Sequence, residues 1–101
     1  MEKSSKGEEM KLSEIYFGAI DVIHERGWCQ FELQSKSGSV CMMGAMRVAS
    51  DSFADEAKKY FADTVFPKLI VIEANDHVCQ TADDACAFLE IAACCAAAER
   101  K

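Results

Sequence analysis

Six cysteines, two histidines and a scatter of carboxylates are the residues that could do chemistry in this chain, and their spacing limits what that chemistry can be. A cysteine nucleophile needs a thiol within hydrogen-bond reach of an imidazole. His24 lies shortly ahead of the turn Gly27-Trp28-Cys29 and could face Cys29, while His77 stands close to Cys79. Cys41, expected beside a helix N-terminus, could gain thiolate character there. No catalytic signature surrounds any of these residues, and free cysteine is among the most commonly buried residue types. Core packing is therefore the reading carried forward for the thiols, and no catalytic residue is assigned.

A structural zinc site wants four ligands in paired short spacings such as Cys-x-x-Cys. The chain offers His77-x-Cys79 and the adjacent Cys94-Cys95, neither of which matches, although Asp76, His77 and Cys79 share one loop. Neither a metal nor a cofactor is expected. Asp83 and Asp84 are neighbours in what reads as a helix first turn, not a facing acid/base pair, and the five glycines are too dispersed for a phosphate loop. Met42, Met43 and Met46 could form an adaptable partner-binding surface, but so apolar a helix places them in the core.

The elements that must position these residues follow from periodicity. Residues 1 to 11, rich in Lys, Glu and Ser, cannot bury apolar surface and read as a flexible leader to a single helical domain over residues 12 to 101. Leu12, Ile15, Tyr16, Ala19, Ile20 and Ile23 recur at three- and four-residue steps, which predicts an amphipathic helix that Gly27 ends. Cys29, Phe31 and Leu33 alternate with polar residues, the pattern of a short extended segment after Trp28, and Ser35 to Ser39 reads as a turn. Ser39 is the expected N-cap of a buried helix from Val40 to about Ala49. Gly44 inside that helix implies a close neighbour, for which Trp28 is the candidate.

Ser50-Asp51-Ser52 can cap a third helix with an apolar stripe of Phe53, Ala57, Tyr60, Phe61 and Val65, stopped by Pro67. Leu69 to Ala74 has strand propensity but no second strand to pair with, so a short helix ending near Asn75 is preferred. Asn75 and Asp76 suit the capping of helix ends. Thr81, followed by Asp83 and Asp84, starts a last helix that runs to about Ala98 and ends on Arg100-Lys101. The expected fold class is an all-α bundle of about four to five helices.

Charge narrows the function. Seventeen acidic residues against 11 basic give a net charge of −6, the wrong sign for a nucleic-acid binder. From residue 69 to 98 there is no Lys or Arg, while Glu73, Asp76, Asp83, Asp84 and Glu90 are all present. The irregularly spaced cysteines, with no signal peptide ahead of them, point to reduced thiols in a cytoplasmic protein. No apolar run approaches the roughly 20 residues that span a bilayer, so no membrane is expected.

The order helix, Gly-Trp-x-Gln, polar loop, Cys-x-x-Gly-Ala-x-x-x-Ala, helix, Asn-Asp, Thr and terminal helix resembles a family of small uncharacterised proteins of actinobacteria and bacteriophages. Gly27, Trp28, Gln30, Cys41, Gly44, Ala45, Ala49, Asn75, Asp76 and Thr81 carry the resemblance, which spans roughly residues 12 to 98. The chain departs from the pattern in three places. Phe31 stands where Gly is usual, Ala74 where Trp is usual, and Cys79-Gln80-Thr81 replaces Gly-Arg-Thr. The resemblance implies an all-helical fold and brings no activity, substrate or cofactor.

The reading that follows is a non-enzymatic interaction protein, a bacteriophage or accessory protein that binds and modulates a host protein through Asp83, Asp84 and Glu90. The alternative is a small-molecule-binding protein or minor enzyme with a pocket among Trp28, Gln30, Cys41, Asn75, Asp76 and His77. A structural role within an assembly, such as a homodimer, stands as a third class.

Overall fold

The apolar stripe that opens the chain forms the first helix of the computed structural model, which describes residues 11 to 65 and 71 to 101. Helix α1 (Leu12–Arg26) buries Ile15, Tyr16, Ala19 and Ile23 on one face. Glu14 Oε1 accepts from the Lys11 backbone N–H at 2.8 Å, satisfying one of the donors a helix start leaves unpaired. At the other end Gly27 takes φ 92° while its N–H reaches Ile23 O at 2.8 Å. A residue with a Cβ would be strained there, which is why glycine ends the helix.

Helix α2 (Met42–Ala49) starts later than the sequence suggests, and its N-cap is Cys41, not Ser39. The Cys41 sulfur accepts from Gly44 N–H at 3.3 Å. Val40 cannot be helical because its backbone is engaged elsewhere: its N–H donates to Gly27 O and its carbonyl accepts from Cys29 N–H, each at 3.0 Å. Ser39 instead shares a hydroxyl contact with Ser35.

The extended segment expected after Trp28 is reduced to two isolated bridges, Trp28 with Val40 and Gln34 with Val40, and there is no strand among the described residues. Phe31, at φ 68°, interrupts the alternation by turning the chain through the left-handed region. The turn carries Leu33 against α2, where a Cβ built on Gly44 would lie 2.1 Å from Leu33 O. The close approach at Gly44 is thus made by a backbone carbonyl of the loop and not by the Trp28 ring.

A 3₁₀ turn (Asp51–Phe53) leads into α3 (Ala54–Thr64), whose buried positions are Ala54, Ala57 and Phe61. No Ser50 or Ser52 side chain caps it; Phe53 is the N-cap residue, and Asp55 and Glu56 in the first turn suit the positive helix end. Helix α4 (Val71–Glu73) is followed directly by a π turn (Ala74–Val78), so the helical reading of this segment holds where it is described. Pro67, Leu69 and Ile70, like all of the expected leader except Lys11, lie outside the described residues.

Helix α5 (Ala82–Ala98) begins as expected, with Thr81 Oγ1 accepting from Asp84 N–H at 3.1 Å. It ends in a Schellman motif in which Arg100, at φ 61°, takes the position usually held by glycine. Lys101 N–H reaches back to Ala96 O at 2.8 Å and Arg100 N–H to Ala97 O at 3.0 Å. The Lys101 carbonyl then accepts from Ser13 N–H at 3.1 Å, so the end of α5 satisfies a donor at the start of α1. The two helices are therefore antiparallel, and they form the most extensive helix–helix contact of the fold, followed by α1 against α2.

The small buried face of α5, with Ala85, Leu89, Ala92, Ala93 and Ala96, permits that closeness. The Tyr16 hydroxyl donates to Ala57 O and ties α1 to α3. The described residues thus form an all-α fold of five helices, none of them long and apolar enough to cross a membrane.

Candidate functional site

Two places bring together residues that the sequence singles out. The first is centred on Asn75 in the π turn, which is closed by Cys79 N–H donating to Ala74 O at 3.0 Å. The wider turn sends the Asn75 side chain fully into the interior. Its Oδ1 accepts from Trp28 Nε1 at 2.6 Å and from Met42 N–H at 3.0 Å. Its Nδ2 donates to Cys29 O at 3.1 Å and to Asp76 Oδ1 at 3.0 Å. All four hydrogen-bonding positions of the amide are in use.

Gln30 Nε2 completes the arrangement by donating to Cys79 O at 2.9 Å and Asp76 O at 3.1 Å, with Asn75 O slightly further at 3.4 Å. It thereby serves carbonyls that the end of the π turn leaves without helical partners. Asp76 Oδ1 accepts from Phe31 N–H at 2.8 Å, which holds the left-handed residue in place. The Phe31 ring meets His77 edge-on, with centroids 5.9 Å apart.

Trp28, Gln30, Asn75, Asp76 and His77 do gather, next to the start of α2 that Cys41 caps. They gather around the Asn75 amide, whose hydrogen-bonding positions are all in use, and not around an open pocket, with His77 at the edge against the Phe31 ring. Beside them lies a cleft of about 130 Å³ lined by Phe31, Glu32, Leu33, Cys41, Ile72 and Asp76. That volume is well below the roughly 300 to 1,000 Å³ typical of sites for drug-sized ligands and cofactors.

The buried thiols of Cys41 and Cys79 are not activated. Burial pushes Cys41 up, and it outweighs the hydrogen bonds from Gly44 and Met43 that act in the other direction, so the helix N-terminus does not make a thiolate here. Burial, with a contribution from Asp84, raises Cys79 to about 11. Cys29 directs its thiol to Glu32 O and Ser39 O, at 3.4 and 3.5 Å, while His24 lines a groove elsewhere. None of the six cysteines forms a disulfide. Among the described residues no group of three His, Cys, Asp or Glu side chains is placed to hold a metal ion.

The second place is a groove of about 430 Å³ between α1 and α5. Phe17, Ile20 and His24 come from α1 at steps of three and four, and Asp83, Cys86, Ala87 and Glu90 come from α5 at the same steps, so one stripe of each helix forms one wall. Phe17 is 46% exposed, and Ile91, one residue past Glu90, is 49% exposed. Among the described residues that line the groove, the acidic side chains are Asp83 and Glu90, and His24 lies on the facing wall.

Asp83 and Glu90 thus belong to one surface, and Asp84 does not. Its Oδ2 accepts from Gln80 N–H at 3.0 Å and its own N–H goes to Thr81, so it is committed to the cap of α5. The groove's apolar wall was not singled out from the sequence. The available signal was Phe17, an aromatic residue just outside the buried stripe of an amphipathic helix.

Residues 8 to 94 match the model of a protein family described as a family of unknown function (DUF6197). No curated protein and no solved structure matches the chain.

Proposed function

The chain belongs to this family of unknown function, and from the geometry we propose a non-enzymatic interaction module that docks a protein partner in the groove between α1 and α5. The observation that carries this reading is the pairing of half-exposed Phe17 and Ile20 with the acidic wall of Asp83 and Glu90. Exposed apolar surface supplies most of the affinity of a protein contact, and flanking charge selects the partner and speeds encounter. The complementary partner segment is apolar with basic flanks. In the setting that the motif resemblance implies, an actinobacterial or bacteriophage accessory protein, that partner is a host protein and docking modulates it.

The small-molecule reading has less support. Asn75 has no unused hydrogen-bonding position, the cleft beside it is small, and burial keeps Cys41 protonated at neutral pH. A homodimer through the groove is disfavoured too, because it would bring two acidic walls together.

The test is a titration of the isotope-labelled protein, followed by NMR, with a Lys- and Leu-rich peptide and with its Glu-for-Lys counterpart. The basic peptide should move the resonances of Phe17, Ile20 and Ala87, and Asp83→Lys with Glu90→Lys should abolish the effect. Resonances that stay still with the basic peptide, or that move equally in the doubly substituted protein, would sink the proposal.

A further inference from the structure

We infer that the partner segment is an amphipathic helix carrying two basic residues seven positions apart, an inference that rests on the docking reading and adds its register. Asp83 and Glu90 are seven residues apart on α5, so their backbone positions are about 10.5 Å apart along the helix axis and on the same side. Both are exposed. Between them lie Cys86 and Ala87, whose small side chains keep the floor of the groove low. Because α1 runs antiparallel to α5, Phe17 faces the Glu90 end of the groove and His24 the Asp83 end.

A helix laid along α5 has the same rise per residue. Lys or Arg at its positions i and i+7 meet the two carboxylates together, and apolar residues at i+3 and i+4 settle over Cys86 and Ala87, beside Phe17 and Ile20. An extended segment matches the spacing less well. At roughly 3.3 Å per residue it covers that distance in about three residues, and an odd step turns the second basic side chain to the opposite face. A second copy of this chain does not fit. Its Lys and Arg residues are at 3, 6, 11, 26, 36, 47, 58, 59, 68, 100 and 101, and no two of them are seven apart. The occupant is a helix of another protein.

The test compares two peptides of identical composition on the full chain. One carries Lys at i and i+7 with Leu at i+3 and i+4; the other moves the second Lys to the opposite helix face. Isothermal titration should give roughly tenfold tighter binding of the first peptide, a difference of about 1.4 kcal/mol. Asp83→Lys with Glu90→Lys should transfer that preference to the version of the first peptide with Glu in place of both Lys. Equal binding of the two peptides in the groove would overturn the register and leave the docking reading standing. Failure of both peptides to reach the groove would overturn both.

Discussion

Trp28 and Asn75, 47 positions apart in the chain, are joined by a hydrogen bond from the indole Nε1 to Oδ1 at 2.6 Å. The same oxygen also takes the first free N–H of α2, from Met42. One buried amide therefore fixes the loop after α1, the start of α2 and the π turn relative to one another.

Asn75→Ala should be among the most damaging single substitutions in the chain. It leaves Met42 N–H without an acceptor and Cys29 O without this donor, and each buried group so stranded costs roughly 1 to 3 kcal/mol. A loss of about 3 kcal/mol is expected in urea unfolding.

Gly44→Ala sets two effects against each other. Alanine in a helix interior gains up to about 1 kcal/mol over glycine. Here its Cβ would meet Leu33 O at 2.1 Å, and a backbone oxygen cannot move aside without moving the loop. Overpacking of this kind costs about 1 to 3 kcal/mol and should win, so the urea midpoint falls. At Gly18 the nearest atom to an added Cβ is a side-chain carbon, Ala49 Cβ, at 3.2 Å, and Gly18→Ala should cost less than Gly44→Ala.

Phe31→Gly should behave unlike an ordinary aromatic truncation. Phe31 adopts φ 68°, a conformation that costs a residue with a Cβ about 1 kcal/mol, and the residue is 69% exposed. The substitution removes the strain and gives up the edge contact with His77. Stability should hold or rise slightly, whereas Phe61→Ala, which empties a fully buried site, should cost roughly 3 kcal/mol or more. Thermal melts of the two variants side by side decide the matter.

The raised thiols set an alkaline limit to stability. In the folded state Cys79 loses its proton only at about 11, against the ordinary thiol value of 9.0, so above pH 9 the unfolded chain binds fewer protons than the native one. Stability is then fully present below pH 9 and declines as pH rises toward 11, with Cys41 acting in the same sense. Tyr16, pushed above its usual range chiefly by burial, extends the decline beyond pH 10. Urea midpoints taken from pH 7 to 11 should fall in that window, and Cys79→Ala should flatten the slope. A thiol reagent at pH 8 should label exposed Cys94 before Cys41 and Cys79.

The parts of this fold that were legible in the sequence are those encoded locally. The stripe from Leu12 to Ile23, the glycine stop at Gly27 and the Thr81 cap each depend on residues within a turn or two, and each stands in the structure. The illegible parts depend on groups distant in sequence. Ser39 looked like the cap of α2, but Val40 had already committed its backbone to Gly27 and Cys29, and Cys41 took the position. Trp28 looked like the neighbour of Gly44, but the left-handed turn at Phe31 brought Leu33 there. Asn75 suits a cap by residue type, and it does serve α2, at a separation of 33 residues that no local pattern announces. Of the acidic residues proposed for interaction, Asp83 and Glu90 share a groove because they repeat at helical spacing; Asp84, one residue off that stripe, is used by the helix itself.

The hydrogen bond from Ser13 N–H to Lys101 O turns two helix ends into one seam. Ends normally fray independently, with little free energy separating closed from open. Here the first turn of α1 cannot open without breaking its bond to the Lys101 carbonyl, which the Schellman closure through Ala96 and Ala97 holds in place. Amides at the two ends should therefore exchange their hydrogens in step, as a single cooperative unit. The groove lies between the same two helices, and the seam ties them together at the end nearer Phe17 and Glu90.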